Sequence, residues 1–430
     1  MSFIWASSTS TYSDPLYSTG NQRPTLDLQF ARGKSLNDYA SGQNLVTFTR
    51  DSIGTYVDEN GLIQTATANT PRFDHDPETL ESLGLLVEES RTNLHWFSNT
   101  FSNSGVGGPN PRWQDFANVT LQEQTYPDPA GGNTATRIIP TTTLGSHYIG
   151  RYSAYGTGTY TYSIFVKPQG YSKFGISMNG VGPNVDLSVN PPVFTGETST
   201  RYGNKIEKLP SGWYRVSFTW VNNAPGNGAN TFQPRITILD NTGSSNFSGD
   251  GVSGIDVYGF QSEIGSFPTS YIPTSGSAVT RAADVASITG SNYSVFTNLS
   301  EGTWFSQVNS ITPSSGGRIF DSRINSSSTS ILIASANSSG YSYGSNGTVQ
   351  INASYPLKGA VSYNTSQVNG AANGVLSTNN TGARTANHDH IDIGSANTAA
   401  SGVGFINAPI ARITYWSKRL DNATLQTITS

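Results

Sequence analysis

Apolar and polar positions alternate with a period of two along much of the chain, the mark of strands with one buried face. Leu26, Leu28 and Phe30 alternate with Asp27 and Gln29, and Val46, Phe48, Ile53, Tyr56 and Val57 follow a polar loop. In the run from Gly158 to Pro168, residues Tyr160, Tyr162, Ile164 and Val166 fall on one face. Further strands are predicted at Tyr148 to Tyr152, Phe174 to Met178, Gly212 to Trp220, Phe232 to Leu239 and Ile255 to Phe260. Turn signals separate them, such as Asp58-Glu59-Asn60-Gly61, whose Asn-Gly pair supplies positive φ. Short strands spaced in this way predict a two-sheet sandwich with jelly-roll connections over residues 95–275. After Phe260 two prolines and a Ser/Gly cluster end regular structure, so 276–289 reads as a linker. A second strand set begins with Gly302-Thr303-Trp304 and ends at Ala408 to Trp416, giving a second sandwich over 290–430. Leu425 and Ile428 lie at helical spacing behind Asp421, which is placed to cap a short terminal helix. Ahead of both sandwiches stand an arm (1–24) and a small β-rich wedge (25–94), and the fold class is all-β with tandem sandwiches.

Composition fits this pattern and narrows the chemistry. Only 12% of the 430 residues are charged, against a usual share of about 25%, while aromatics reach 11%. A net charge of −4 without clustered Lys and Arg argues against nucleic acid as a partner. With no cysteine, there is no disulfide framework, thiol nucleophile or thiolate metal site. The first residues lack the basic and apolar regions of a secretion signal, and no apolar run reaches the length of about 20 that spans a bilayer. No membrane insertion is therefore expected.

Few residues suggest catalysis or metal binding. Glu88 and Glu89 are adjacent, and neighbours on a strand point to opposite faces, so salt bridges to Arg72 and Arg91 are the stronger expectation. Asp240, Asp250 and Asp256 supply oxygen ligands of the kind a structural calcium ion needs, but Asn-Gly and Asp-Gly turns account for the same residues without an ion. His388, His390 and Asp392 would share a strand face, more often a polar face than a metal site. No nucleophile elbow, P-loop or dinucleotide fingerprint is present, and no glutamate follows Glu301, so no enzyme and no cofactor is expected. Phe3, Ile4 and Trp5 stand out in the arm, either as an anchor on a partner or as rings packed on their own domain.

Several stretches carry a resemblance. Leu45 to Ile63, Thr70 to Pro77 and Gly84 to Leu94 resemble segments common in bacteriophage structural proteins. Arg91-Thr92-Asn93-Leu94, Gly158 to Pro168, Gly212-Trp213-Tyr214-Arg215 and Gln261 to Tyr271 are similar to carbohydrate-binding-module-like jelly rolls of phage fibres. The Gly302-Thr303-Trp304 start and the strand-then-helix ending resemble a laminin-G or concanavalin-like sandwich. The resemblance implies a virion structural protein: a tail-fibre or appendage subunit contacting host-surface glycan, or alternatively a capsid decoration or head-fibre protein, with a glycan depolymerase a distant third. It also implies a homo-oligomer, a trimer by preference, joined to other virion proteins through its N-terminal region. Such folds can offer ring faces to sugars. Trp113, Tyr155, Tyr171, Trp213 and Trp220 are then the candidate rings, although for any one of them packing in the core is the stronger expectation.

Overall fold

A computed structural model describes residues 14–18, 22–101, 113–151, 153–154, 156–178, 182–196, 201–222, 231–232, 234–309, 317–323, 330–334, 341–343, 349–351, 355–377, 388–395 and 404–430. The chain divides into two compact units, each assembled from separate stretches: 49–82 with 89–284, and 1–48 with 83–88 and 285–430.

The unit of residues 49–82 and 89–284 is a β-sandwich. Its first sheet runs, in order, Arg201–Lys208, Tyr214–Asn222, Gly158–Gln169, Gly254–Ile264, Ala135–Pro140 and Val119–Tyr126. The second runs Val193–Thr195, Asn184–Asp186, Lys173–Met178, Pro234–Leu239, Gly145–Arg151 and Asn246–Phe247, with Trp113–Ala117 also paired to Gly145–Arg151. Tyr160, Tyr162, Ile164 and Val166 all enter the core, as their period predicts, and meet Phe174, Ile176, Ile236 and Ile238 from the second sheet. The strand expected from Ile255 to Phe260 runs on to Ile264 and carries a bulge. Gly259, at φ +64°, supplies the extra residue. Ile255 and Val257 face the core before the bulge and Phe260 faces it afterwards, which leaves Gln261 and Glu263 on the outer face.

One core residue couples this unit to pH. The buried His95 ring lies 4.8 Å from Phe260 and 5.8 Å from Trp113, and its Nδ1 accepts from the Arg151 guanidinium. Burial first, and the Arg151 charge second, hold its pKa well below the usual value. The unfolded chain therefore binds a proton near pH 6.5 that the folded one refuses, so this contribution is present above about pH 6.5 and is lost as pH falls, by up to about 1.4 kcal/mol per unit. Thermal unfolding between pH 7 and pH 5 should show a steeper loss for the native chain than for His95→Gln, and equal slopes would refute the assignment.

The second unit is also a sandwich. One sheet runs Leu26–Leu28, Arg412–Trp416, Gly302–Val308, Leu357–Tyr363, Val368–Ala372 and Val375–Leu376. The other includes, in order, Val285–Thr289, His390–Ile393, Arg318–Arg323, Ser330–Ala334, Tyr341–Tyr343 and Val349–Ile351. Trp304 centres its aromatic interior, 4.5 Å from Tyr415 and 4.8 Å from Phe320 between ring centroids. The expected terminal helix forms at Asn422–Thr429, with Asp421 accepting from the Thr424 amide at 2.8 Å. Its Leu425 and Ile428 pack with Phe305, Ala360 and Trp416 on the same sheet.

Three expected boundaries are corrected. Residues 25–94 do not form a separate wedge, because their segments are shared between the two units. Leu26–Leu28, buried at every position, pairs in register with the last strand, Leu26 opposite Tyr415. Asp27, wholly buried, receives two hydrogen bonds of 2.7 Å from Arg412 of that strand. A three-residue strand cannot bury both faces with its sequence neighbours, and nothing local names so distant a partner. Nor is 276–289 a linker: Val279–Arg281 pairs with Arg91–Asn93, and Val285–Thr289 pairs with His390–Ile393. Finally, the later part of the arm packs on its own unit. Leu16 is buried with Leu425 and Trp416, Asp14 pairs with Arg412 at 2.7 Å, and Tyr17 donates to Asp27 at 2.9 Å. Phe3, Ile4 and Trp5 lie outside the described residues.

Candidate functional site

A sandwich has two outer faces, and in the 49–82 and 89–284 unit the first sheet's is closed. Phe165, Tyr258 and Trp213 on that face pack with Ile63, Leu209 and Tyr271 in a second apolar cluster. Beyond the bulge the chain turns back over the same face. The Glu263 carboxylate accepts from the Thr269 amide at 3.0 Å, from the Thr269 hydroxyl and from Gln261 Nε2 at 2.8 Å. The Ile272 amide donates to Gln261 Oε1 at 2.6 Å, and Arg215 donates to the Thr269 carbonyl at 2.6 Å. Burial pushes the Glu263 carboxyl pKa up, in opposition to the Thr269 hydrogen bonds. The Gln261 to Tyr271 stretch is thus a strap that seals a sheet, and its polar residues are spent on the strap itself.

The second sheet's outer face has a different character. Ile149, Ile236, Phe174, Ile176 and Val185 point to the core, so the alternate residues of the same strands point away from it. Register aligns them in two rows across the strands. One row is Asp115, Gly150, Arg235 and Ser177; the other is Ala117, Tyr148, Thr237, Gly175, Asn184 and Thr195. The Arg235 guanidinium lies over the Tyr148 ring, 3.7 Å from its centroid, and Arg235 Nη2 pairs with Asp115 at 2.9 Å. The Tyr148 hydroxyl donates to the same carboxylate at 3.3 Å. At the far side Lys173 and Asp186 pair at 2.9 Å. Among the described residues the result is a half-exposed polar face with Tyr148 as the aromatic of its two rows, two internal ion pairs and two glycines, Gly150 and Gly175, that keep its middle low.

The rings expected to meet sugar are placed otherwise. Trp113 (0% exposed) stacks on Phe101 at 5.6 Å, and Trp213 (1%) lies in the cluster beneath the strap. Neither can offer a face to solvent, and the core reading holds for both. Trp220 and Tyr171 are half-buried against the main core, Tyr171 with its ring 5.4 Å from Phe247. Tyr155 lies outside the described residues. Of the calcium candidates, Asp240 accepts from the Thr242 and Ser244 amides and Asp250 from those of Val252 and Ser253, each within its own turn. Asp256 is buried and takes Arg137 at 2.7 and 3.1 Å, which removes it from any loop site. His388 faces Ser322 at 3.0 Å, whereas His390 lies beside Asp389 at 2.6 Å and 3.9 Å from Asp392. The three do not converge, and among the described residues no group of three His, Cys, Asp or Glu side chains is placed to hold a metal ion.

The expected salt bridges are partly redistributed. Glu89 pairs with Arg91 at 2.5 Å, but Arg72 turns to the buried Asp284. Asp284 also takes Arg50 at 3.0 Å and has Arg281 at 3.8 Å, with all four side chains at 1% exposure or less.

Sequence reasoning missed Asp115, Tyr148 and Arg235. Their signal is in the polar partners of the alternation, Arg235 before Ile236 and Thr237 between Ile236 and Ile238, which mark the outward side of the strand.

No protein-family model matches the chain, and no curated protein does. Among solved structures, the chain is similar to the CBM40 module of a Ruminococcus gnavus IT-sialidase bound to α2,3-sialyllactose, at 12% identity and a TM-score of 0.28 over 32% of this chain and 88% of that one. The same module bound to α2,6-sialyllactose gives 13% identity and a TM-score of 0.26 over the same shares. A proposed sugar-binding protein of Bacteroides thetaiotaomicron gives 10% identity and a TM-score of 0.25 over 40% of this chain and 100% of that one. At these scores none of the three carries an argument about what this chain binds.

Proposed function

We propose that this protein is a non-enzymatic, glycan-binding structural subunit of a bacteriophage particle, of the tail-fibre or appendage type. The observation that carries the glycan reading is the contrast between the two sheets of one sandwich. One outer face is sealed by the chain's own strap, and the other is left as a half-exposed row of hydrogen-bonding side chains around Tyr148 and Arg235. Hydroxyl-rich ligands need such a surface: fixed amide, hydroxyl and carboxylate partners, with a flat side chain for the C–H face of a ring.

The phage reading is supported by the resemblance of residues 45–63, 70–77 and 84–94 to phage structural segments. The non-enzyme reading is supported by the lack of any glutamate after Glu301 in the second sandwich, which leaves a paired-carboxylate glycosidase mechanism without its acids there.

Screening the full chain on a glycan array, with Tyr148→Ala and Arg235→Ala beside it, tests the site. The native chain should bind at least one host-surface glycan without releasing reducing ends, and each variant should weaken that binding by about tenfold or more. Binding indifferent to both substitutions, or no glycan bound at all, would refute the assignment. Antibody labelling of intact particles separates tail from head.

A further inference from the structure

We infer that the second-sheet face takes an uncharged oligosaccharide laid across the strands, with Asn184 as a specificity-determining residue. The inference rests on the reading of this face as the glycan surface and adds the ligand's class and direction.

Charge excludes an anionic sugar. Among the described residues the face has four charged side chains in two pairs, Arg235 with Asp115 and Lys173 with Asp186, each at 2.9 Å. Arg235 is committed further by its seat on the Tyr148 ring. A sugar carboxylate approaching Arg235 would have to displace Asp115 or share its position, and two like charges at contact distance disfavour each other. A neutral hydroxyl meets no such penalty, since ion-paired groups still accept and donate hydrogen bonds at their free edges.

Direction follows from register. Tyr148, Thr237, Gly175 and Asn184 lie opposite one another on four neighbouring strands, a row of about 14 Å at the usual strand spacing. That is longer than a single sugar ring. Gly175 shapes the row. A Cβ there would stand 2.9 Å from Asn184 Oδ1, so the missing side chain is what lets the Asn184 carboxamide lie over the neighbouring strand. Its φ is not in the left-handed region, so Gly175→Ala alters the surface without backbone strain.

Calorimetry on the full chain tests this with maltose, cellose and mannose oligomers from one to five units, and with 3′-sialyllactose and tetragalacturonate as charged probes. The expected result is binding by a neutral pentaose, at least about tenfold tighter than its monomer, and insensitive to salt because no net charge is matched. Gly175→Ala should weaken it by about tenfold at unchanged melting temperature. Asn184→Ala, which removes the carboxamide without adding bulk, should do the same if Gly175→Ala fails to fold. Salt-sensitive binding of the charged probes alone would overturn this inference and leave the glycan reading standing, as would equal affinity for monomer and pentaose. Binding by no probe of either class would overturn both.

Discussion

Replacing Asp284 by Asn should destabilise the 49–82 and 89–284 sandwich by about 3–5 kcal/mol, the range for removing one partner of a buried ionic cluster. Three guanidinium groups gather around this carboxylate, from Arg50, Arg72 and Arg281, and every member is buried. The arginines have further hydrogen bonds, Arg50 to the Thr67 carbonyl at 2.8 Å, Arg72 to the Thr55 carbonyl at 2.8 Å and Arg281 to the Glu89 carbonyl at 2.7 Å. These anchor the positive groups in place, so they cannot leave when the negative one is removed. Asn keeps the shape of Asp but loses its charge and turns one acceptor oxygen into an NH2 donor facing arginine N–H groups, so a large effect would report electrostatics and hydrogen bonding rather than packing. The cluster also has a topological position. Arg50, Glu89 and Asp284 stand at points where the chain enters or leaves this unit, and the cluster ties all three together. Chemical denaturation should show the loss as a lower midpoint, and a change under about 1 kcal/mol, the level of an exposed pair, would show that the cluster is not the clamp described.

Gly84→Ala is the second large effect, expected to cost about 3 kcal/mol or more in the other unit. Gly84 sits at φ +105°, where an L side chain is strained, and a Cβ there would lie 2.0 Å from the Ile410 carbonyl oxygen and 2.9 Å from Ala411 Cα. Both obstacles are backbone, so no side-chain rotation relieves them. The contact is part of the pairing of Leu85, Leu86 and Val87 with Ile410, Pro409 and Ala408. Separating those strands would expose Leu85 and Val87, which are fully buried. Comparison with Gly33→Ala makes a control, because a Cβ at Gly33 meets nothing within 4 Å. Equal melting temperatures for the two variants would refute the argument.

The strands were legible because a period of two is a local property. The face shared by Tyr160, Tyr162, Ile164 and Val166, and the helix carrying Leu425 and Ile428, needed only their own neighbours to be read. Pairing is not local. Leu26–Leu28 shows the same alternation whether it closes a small wedge or edges a distant sheet, and the choice is made by Arg412 meeting Asp27. The bulge escaped for a related reason: Tyr258-Gly259-Phe260 continues an alternating pattern on paper, while one extra residue changes which side each later residue takes. Rings misled in the candidate site because Trp113 and Trp213 contribute more buried area than any other residue type could at those positions, so aromatic content marked the core before it marked a surface. Tyr148, on an ordinary strand between His147 and Ile149, became notable only through the Arg235 ring contact.

The pairing of Leu26 with Tyr415 also sets a schedule for synthesis. A ribosome adding about 5–20 residues per second leaves the first strand without its partner for on the order of 20–80 seconds. Throughout that interval Leu26 and Leu28, both fully buried in the finished fold, are exposed, and for about its last third the 49–82 and 89–284 sandwich already has all its residues. Slower translation between residues 285 and 415 would therefore prolong a state with an unpaired apolar strand, a species prone to aggregate.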